Sequence, residues 1–281
     1  MKPTFIGIGA QKCASSWIYD ILADHPQVSV SNKKELDYFS YHYEHGQAWY
    51  ENHFQYRPGV IAVGEISPSY FNEASVPKRV RLYNSGARIL LSLRDPVQRA
   101  LSQHRHLVRI GLVTGPDFSF ETAIDNNPSY IEQGMYATHI RNWLKYFHRD
   151  QIHIVLMEDI VSSSQISARS IYQFLDVNDN HVSKSLNEKS NPSYVARSQL
   201  TSEIVTRLRK GTQSIGLGNL WKTIGNTGLR KMYRIANRKP SESIIPIVTN
   251  EAVQNIRSKF RDDILDLESI LQRDLKSWLP Q

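Results

Sequence analysis

The chain has 281 residues, of which 40% are hydrophobic and one, Cys13, is a cysteine. This length is enough to bury the core of one large α/β domain or two small ones, and a single cysteine excludes any disulfide within the chain. The net charge of +7 favours an anionic ligand or partner, which leaves nucleic acid and a phosphorylated cofactor as the two main classes. Basic residues are spread along the chain, which disfavours a basic tail that grips DNA.

The start of the chain, MKPTFIGIGAQK, contains an apolar run that is too short for a signal peptide or a membrane span, and the later runs are too short as well. We therefore expect a cytoplasmic protein with no integral membrane association. The sequence has no internal repeat or low-complexity segment, so we expect one domain over residues 1–281. It makes no prediction of the oligomeric state.

The first predicted element is a short apolar strand, a tight loop and a helix, with the sequence FIGIGAQKCASSWIYDIL. Unpaired N–H groups and the helix dipole make such a helix start a site for phosphate or sulfate. On the template G-x-x-x-x-G-K-[ST], Gly9 and Ser16 match, but Ala14 and Ser15 replace the second glycine and the lysine. The lysine has moved into the loop, at Lys12. The pattern predicts an anion-binding loop, but not one for a nucleoside triphosphate with Mg²⁺ or for a dinucleotide.

The single cysteine and the histidines are candidates for a nucleophile and for metal ligands, but the sequence disfavours both roles. Cys13 lies in a polarised loop, but we interpret it as a small residue facing the strand rather than as a nucleophile. Residues 41–58 are rich in Tyr, His and Trp, which suits stacking on sugars or bases and packing of small helices equally well. Zinc sites combine tight ligand spacing with cysteines or carboxylates. Three histidines, His42, His45 and His53, are candidate zinc ligands, but we predict that they are surface residues that bind no metal.

Three further motifs follow in chain order. The charged triplet Lys33-Lys34-Glu35 comes after the first helix, and residues 60–71 read as a short buried strand that enters a loop. Residues 88–93 read as another buried strand, which ends at Arg94-Asp95-Pro96 and leads into a helix. Because α/β sheets bind ligands at the carboxyl ends of their strands, Arg94 is a candidate contact for a second anionic group.

The second half of the chain is predicted as a loop-rich insert over residues 112–134, a helix over 136–147, a strand over 153–157 and a last helix over about 250–271. Apolar residues of the last helix recur three and four apart, which predicts one face packed on the core. Residues 207–239 are basic and contain glycine. They suit a mobile acceptor-side segment, a membrane-surface patch or a nucleic-acid contact, and we favour the first.

Together these motifs resemble the sulfotransferases that use PAPS (3′-phosphoadenosine 5′-phosphosulfate), in particular a soluble, bacterial-like member of the heparan-sulfate or carbohydrate-type branch. The N-terminal loop resembles the family's 5′-phosphosulfate loop, and residues 34–39, KELDYF, resemble its K-E-x-x-x-F segment. Residues 64–70, GEISPSY, resemble its G-E-K-[ST]-P-x-Y segment, and R-D-P followed by Ser102 resembles its 3′-phosphate signature. The resemblance implies an α/β fold with a central parallel sheet flanked by helices and a P-loop-like strand-loop-helix.

The resemblance also implies which residues hold the nucleotide. Arg94 would grip the 3′-phosphate with a forked bond, and Ser102 would donate a second bond to it. A late basic loop, with Lys189, Tyr194 and Arg197 as candidates, would fold over the nucleotide. The residues implied for the 5′-phosphosulfate are Gln11, Lys12, Cys13, Ala14, Ser15, Ser16 and Trp17.

For catalysis, the resemblance implies Glu35 as the general base, with Glu65 as the second candidate. Lys12 would neutralise the leaving group, and Lys34 would contact the transferring group. One departure from the family is Ile66, which occupies the place of a lysine that approaches the sulfonate, so that Lys34 is the candidate replacement.

A second departure concerns the acceptor. Asp37 stands where the family often has histidine, two residues after the catalytic glutamate, and this leaves the acceptor open. The expected reaction moves the sulfuryl group from PAPS to a hydroxyl or amine of a carbohydrate or small metabolite. It yields PAP (adenosine 3′,5′-bisphosphate) and needs no metal ion.

Two other classes fit parts of the sequence. A P-loop kinase or NTPase-like enzyme would bind ATP with Mg²⁺, but the G-K-[ST] triplet is absent from the loop. A basic nucleic-acid-binding protein would use the charge and the aromatic residues, but it leaves the two phosphate motifs unexplained. We therefore expect no nucleic-acid partner.

Overall fold

The computed structural model describes residues 2–55, 57–186 and 248–281, together with the backbone of two short strands at 194–196 and 238–240. The chain divides into two compact units. The first unit comprises Met1–Ala100, Ser129–Asn191 and Val253–Gln281, and the second comprises Leu101–Pro128 and Pro192–Ala252. The expectation of one domain over the whole chain stays a prediction, and residues 207–237 of the basic segment 207–239 lie outside the described residues.

The first unit contains a five-stranded parallel sheet with the strand order β2-β3-β1-β4-β5. All five residues of the central strand β1 are buried, which is typical of a parallel sheet that is covered on both faces. This arrangement confirms the predicted fold, a parallel α/β sheet flanked by helices. The strands are β1 (Phe5–Gly9), β2 (Val28–Val30), β3 (Ala62–Ile66), β4 (Arg88–Leu93) and β5 (Ile152–Leu156).

Helices connect the parallel strands, as their crossovers require. The described helices are α1 (Ser15–Ala23), α2 (Gly46–Glu51), α3 (Val76–Tyr83), α4 (Pro96–Arg109), α5 (Phe120–Asn126), α6 (Ser129–Glu132), α7 (Tyr136–Leu144), α8 (Met157–Ser162), α9 (Ser164–Phe174) and α10 (Asn250–Leu271). Short 3₁₀ turns lie at Tyr43–His45, Pro68–Tyr70, Gly115–Phe118, Arg149–Gln151 and Lys276–Trp278. Within the described part of the chain, no helix is long and apolar enough to cross a membrane.

The second unit contains the end of α4, helix α5 and an antiparallel pair formed by β6 (Tyr194–Ala196) and β7 (Arg238–Pro240). Within this unit, a ring nitrogen of His104 lies 3.1 Å from the carbonyl oxygen of Phe118. The predicted loop-rich insert over residues 112–134 therefore needs correction. Apolar residues such as Phe120 and Tyr130, both fully buried, give it two short helices, α5 and α6.

Helix α10 packs against the first unit with the apolar face that the sequence predicted, since Ile256, Phe260, Ile264 and Leu267 are buried. The same helix carries a buried carboxylate, Asp263, which is 6% exposed. Asp263 accepts hydrogen bonds from the backbone N–H groups of Ala137 (2.9 Å) and Thr138 (3.1 Å) and from the Thr138 hydroxyl (3.0 Å). It therefore caps the start of α7 from a distant part of the sequence.

Candidate active site

The loop after β1 is held in place by the strands on either side of it. The Ala10 N–H donates to the Ser92 carbonyl at 2.8 Å, and the Ser92 hydroxyl donates to the Gly9 carbonyl at 3.1 Å. Gly9 has φ 131°, and a Cβ atom there would lie 2.9 Å from the Pro68 carbonyl oxygen. Only glycine fits this close approach without strain. The loop therefore leaves the sheet along a fixed path, as an anion cradle requires.

The start of α1 has the properties expected of an anion site. The residue before the helix, Ala14, is left-handed with φ 68° and provides no side-chain cap. Among the described residues, none in the first turn of α1 is acidic, so the helix brings no negative charge of its own to its positive end. Lys12, also left-handed with φ 67°, and Gln11 are half-buried in the loop, and Ser15 and Ser16 open the helix. The predicted strand-loop-helix is confirmed.

Two of the residues that were predicted to bind the nucleotide direct their side chains into the interior. The Cys13 side chain is fully buried, and burial raises the pKa of its thiol to about 11. The neutral thiol supports the interpretation of Cys13 as a structural residue rather than a nucleophile. The Trp17 indole is 5% exposed and donates to the Leu186 carbonyl at 3.2 Å. Both residues therefore offer an anion their backbone and not their side chains.

Lys34 connects the second motif to the loop. Its Nζ donates to the Ser16 hydroxyl at 2.5 Å, at the start of α1, and lies 3.7 Å from Oε1 of Glu35. The same Nζ lies 5.9 Å from the centroid of the Tyr19 ring. The Glu35 side chain is 50% exposed, so its carboxylate is accessible to a substrate. Lys34 therefore contacts both the candidate base, Glu35, and the start of α1, where the anion cradle lies.

The alternative candidate for the base, Glu65, has a different environment. It is fully buried in β3, and its two oxygens accept hydrogen bonds from the Ser67 hydroxyl (2.5 Å) and the Tyr70 hydroxyl (2.6 Å). Burial raises the pKa of Glu65 to about 7, although these two bonds lower it. Since no surface of Glu65 reaches solvent, the geometry favours Glu35 over Glu65 for proton transfer from an acceptor.

The two departures from the family pattern have clear positions in the fold. Ile66 is 2% exposed and packs so tightly on Gly7 that a Cβ atom on that glycine would lie 2.6 Å from Ile66 Cγ1. It belongs to the core and brings no charge to the site. The nearby carboxylate of Asp37 accepts a hydrogen bond from the Ser69 hydroxyl at 2.6 Å.

Arg94 follows β4, the strand that pairs directly with β1, so the two candidate anion motifs lie at the ends of neighbouring strands. Arg94 is half-buried, and its carbonyl accepts a hydrogen bond from the Tyr136 hydroxyl at 2.9 Å. The same hydroxyl lies 3.7 Å from the Cys13 sulfur. Tyr136 therefore joins the two motifs. The sequence analysis missed this role, although the G-x-Y pattern at residues 134–136 marks the position.

The residue after Arg94 organises the start of α4. Asp95 accepts hydrogen bonds from the backbone N–H groups of Val97 (2.8 Å) and Gln98 (3.0 Å), and its other oxygen accepts from Arg257 of α10 at 2.7 Å. The predicted start of a helix at R-D-P is thus confirmed, with the aspartate as its cap. Helix α10 supports the cap through an arginine.

The other predicted nucleotide contacts stay predictions. Ser102 is a half-buried residue of α4 and belongs to the second unit. The backbone of Tyr194 lies in β6, whereas Lys189 and Arg197 lie outside the described residues.

The histidines are less scattered than the sequence indicated. Ligand atoms of His42, Glu44 and His45 lie within 4.8 Å of one another, and the Glu44 and His45 side chains are exposed. His53 instead places its Nδ1 2.9 Å from the carbonyl oxygen of Trp49. The 3₁₀ turn at Tyr43–His45 brings the first two histidines together, a geometry that residue spacing alone did not predict.

Comparison with known proteins gives the family. The chain matches the sulfotransferase domain over residues 2–222. It is 33% identical over 136 residues to the membrane-associated sulfotransferase kil1 of Dictyostelium discoideum, an alignment that covers 46% of this chain and 29% of that protein. It is 31% identical over 184 residues to heparan sulfate glucosamine 3-O-sulfotransferase 3B1 of Mus musculus, which covers 62% of this chain and 46% of that protein. The chain thus spans less than half the length of these two curated relatives.

The fold also has a solved counterpart. A sulfotransferase from Alicyclobacillus acidocaldarius superposes with a TM-score of 0.71 over 99% of both chains, at 22% sequence identity. The sequence match covers most of the chain, and the parallel sheet with its loop after β1 agrees with this fold. The chain therefore belongs to the sulfotransferase domain family.

Proposed function

We propose that this protein transfers the sulfuryl group of PAPS to a hydroxyl or amine of an acceptor, either a carbohydrate or a small metabolite. Membership of the sulfotransferase family supports the reaction class. The geometry supports the assignment of roles, because the anion cradle, the candidate base and Arg94 all follow carboxyl ends of strands in one parallel sheet.

The observation that carries the proposal is the position of Lys34. Its Nζ contacts both Ser16, at the start of α1, and Glu35, the candidate base. A sulfuryl group held at the helix start would therefore have a cation beside it and a carboxylate next to that cation. This position also gives the site a positive charge that Ile66 does not supply.

The residues present fit the donor nucleotide. The positive end of α1 and Lys12 would hold the 5′-phosphosulfate, and Arg94, just after the neighbouring strand, would hold the 3′-phosphate. Ser102 stays a separate prediction from the sequence for the same phosphate. Tyr194 and Arg197 stay further candidates, from the sequence, for contact with the nucleotide. When bound, PAPS supplies the sulfuryl group and a phosphate as leaving group.

The chain's own residues then divide the work of the reaction. The acceptor oxygen or nitrogen forms a bond to sulfur, the bond from sulfur to the 5′-phosphate oxygen breaks, and Glu35 takes the acceptor proton. Lys12, Lys34 and the N–H groups of the loop neutralise the charge that develops on the leaving oxygen. The products are a sulfated acceptor and PAP, and the scheme uses no metal ion.

Two observations bear on the proposed class of acceptor. The printed name of the mouse relative specifies a heparan sulfate glucosamine, which supports a carbohydrate acceptor for this chain. Asp37 and Ile66 differ from the carbohydrate-type pattern, so a small metabolite or a lipid-linked sugar remains a second acceptor class.

The test is an assay of the purified protein with ³⁵S-labelled PAPS against a panel of saccharides, phenols and amines. We expect label transfer to at least one panel member, and a loss of turnover of about 100-fold in Glu35→Gln and in Lys12→Ala. The adjacent lysines provide a matched pair. Lys34→Ala should lower turnover about 10-fold or more, whereas Lys33→Ala, at an exposed position, should leave it unchanged.

Three results would contradict the proposal. Wild-type turnover in both Glu35→Gln and Lys12→Ala would refute the mechanism. The lack of a thermal shift with PAP would refute the donor assignment. Transfer of phosphate from ATP with Mg²⁺, or salt-sensitive binding of DNA or RNA without sulfuryl transfer, would move the chain to one of the two other classes.

A further inference from the structure

A buried network connects β3 to the segment that carries Glu35. Glu65 is fully buried, and its carboxylate accepts from the hydroxyls of Ser67 and Tyr70. Each of these hydroxyls also accepts a hydrogen bond from the backbone. The Asp37 N–H donates to Ser67 Oγ at 3.0 Å, and the Phe39 N–H donates to the Tyr70 hydroxyl at 3.2 Å. The carboxylate thus reaches two backbone groups just after Glu35 through two hydroxyl relays.

The charge of Glu65 sets the direction of both relays. An ionised carboxylate has no proton to donate, so each hydroxyl must direct its own hydrogen to Glu65. The lone pairs of Ser67 and Tyr70 are then left to accept from the two backbone N–H groups. A neutral amide or acid at this position would offer a competing donor and weaken at least one relay.

The segment that the relays hold is strained. Glu35 has φ 59° and Asp37 has φ 51°, both in the left-handed region that residues other than glycine rarely adopt. Such conformations are unfavourable and persist where the surroundings fix them. The surroundings here are the relays, the bond from Ser69 to Asp37, and Arg79, which donates to the Phe39 carbonyl at 2.7 Å.

We infer that Glu65 is a positioning residue, whose buried carboxylate holds Glu35 and Lys34 in the conformation that faces the start of α1. This inference rests on the proposed function, because it explains how that site keeps its geometry. Glu65 itself touches no substrate. This role accounts for a carboxylate at a fully buried position, where an unbonded one would be costly.

The state of Glu65 is itself sensitive to pH. Burial raises the pKa of Glu65 to about 7, and the titratable groups that face it are Asp37, Tyr50 and Tyr70. Protonation near neutral pH adds the competing donor described above. The positioning of Glu35 should therefore weaken as the pH falls below about 7.

The activity test compares Glu65→Gln, Ser67→Ala and Tyr70→Phe with an exposed control, Glu73→Gln. We expect Glu65→Gln to lower kcat about 10- to 100-fold, since a displacement of about 1 Å costs up to 100-fold, with the KM for PAPS nearly unchanged. Ser67→Ala and Tyr70→Phe remove one relay each and should give smaller losses of the same kind. The control should match the wild type.

A double variant separates positioning from direct catalysis. A residue that acts through Glu35 has no further effect once Glu35 is gone, so Glu35→Gln/Glu65→Gln should be no slower than Glu35→Gln alone. Independent, multiplicative losses would overturn the inference. Wild-type kcat in both Ser67→Ala and Tyr70→Phe would also overturn it.

Hydrogen exchange provides a readout that does not depend on activity. The amides of Asp37 and Phe39 should exchange at least about 10-fold faster in Glu65→Gln than in the wild type or Glu73→Gln. Unchanged exchange at both amides would overturn the inference. If the wild type transferred no sulfuryl group, the proposed function would fail, and exchange at these two amides would still decide whether Glu65 holds the segment. If Glu65→Gln failed to fold, the two single-relay variants would carry the same comparison.

Discussion

Replacing Asp263 should destabilise the first unit far more than replacing a neighbouring surface acid. Asp263 caps α7 with three hydrogen bonds from Ala137 and Thr138, and it is 6% exposed. Loss of a helix cap costs about 0.5–2 kcal/mol, and loss of a bond to a charged group costs about 1.5–3 kcal/mol. These two contributions overlap, so we expect Asp263→Ala to lower the free energy of unfolding by about 2–4 kcal/mol. Asp263→Asn keeps one acceptor and should lose about half as much.

The measurement is urea denaturation followed by circular dichroism at fixed pH. The matched control is Asp266→Ala on the same helix. Asp266 pairs with Arg141 at 2.7 Å, but the two side chains are 49% and 56% exposed. An exposed pair of this kind contributes at most about 1 kcal/mol. If Asp263→Ala and Asp266→Ala differed by less than about 0.5 kcal/mol, the capping role of Asp263 would be refuted.

Two further predictions follow from burial. Burial raises the pKa of Cys13 to about 11, so iodoacetamide at pH 8 should alkylate the native protein at least about 100-fold more slowly than it alkylates glutathione. Mass spectrometry measures the rate of alkylation. Comparable rates for the protein and glutathione would contradict a buried thiol. The pKa of Glu65 is about 7 in the folded protein, compared with an ordinary value of 4.5. The folded state therefore binds the proton more tightly than the unfolded state does. The resulting stabilisation is fully present below pH 4.5 and is lost as the pH rises through 7. Wild type should therefore lose up to about 3 kcal/mol relative to Glu65→Gln between these pH values, measured by urea denaturation; parallel stability curves would show that the carboxylate is not desolvated.

Comparison with Glu65→Gln is needed because a half-buried histidine, His153, has the opposite pH dependence. Burial lowers the pKa of His153 to about 4, so this residue destabilises the fold as the pH falls below about 6.5. The contribution of His153 is the same in both proteins and cancels in their difference.

Sequence patterns located two elements of the candidate site, the loop containing Lys12 and the R-D-P motif, because an apolar run predicts the strand before each of them. The loop containing Lys12, the triplet ending at Glu35 and the R-D-P motif at Arg94 all follow strands of one parallel sheet. The family prediction is confirmed by the match over residues 2–222. Spacing and hydrophobic pattern suffice for these predictions, because both are properties of neighbouring residues in the chain.

The parts that the sequence did not predict depend on contacts between distant residues. Tyr136 contacts both Cys13 and the Arg94 carbonyl. It is more than 120 residues from Cys13 in the sequence and more than 40 residues from Arg94. The direction of the Trp17 indole, into the core, depends on the Leu186 carbonyl. The left-handed conformation of Glu35 follows from packing and hydroxyl relays, which leave no periodic signal in the sequence.

The support that α10 gives to the start of α7 has a consequence for the order in which the site assembles. The cradle is formed by residues near the amino terminus, but Tyr136 beside it begins a helix that is capped by Asp263. Contacts of such large sequence separation form late, because the intervening chain must first be made and closed into a loop. During synthesis on the ribosome, the candidate site should therefore reach its folded geometry only after α10 has emerged. A nucleotide that binds only the folded chain would stabilise these late contacts as well, by an amount that rises with its concentration.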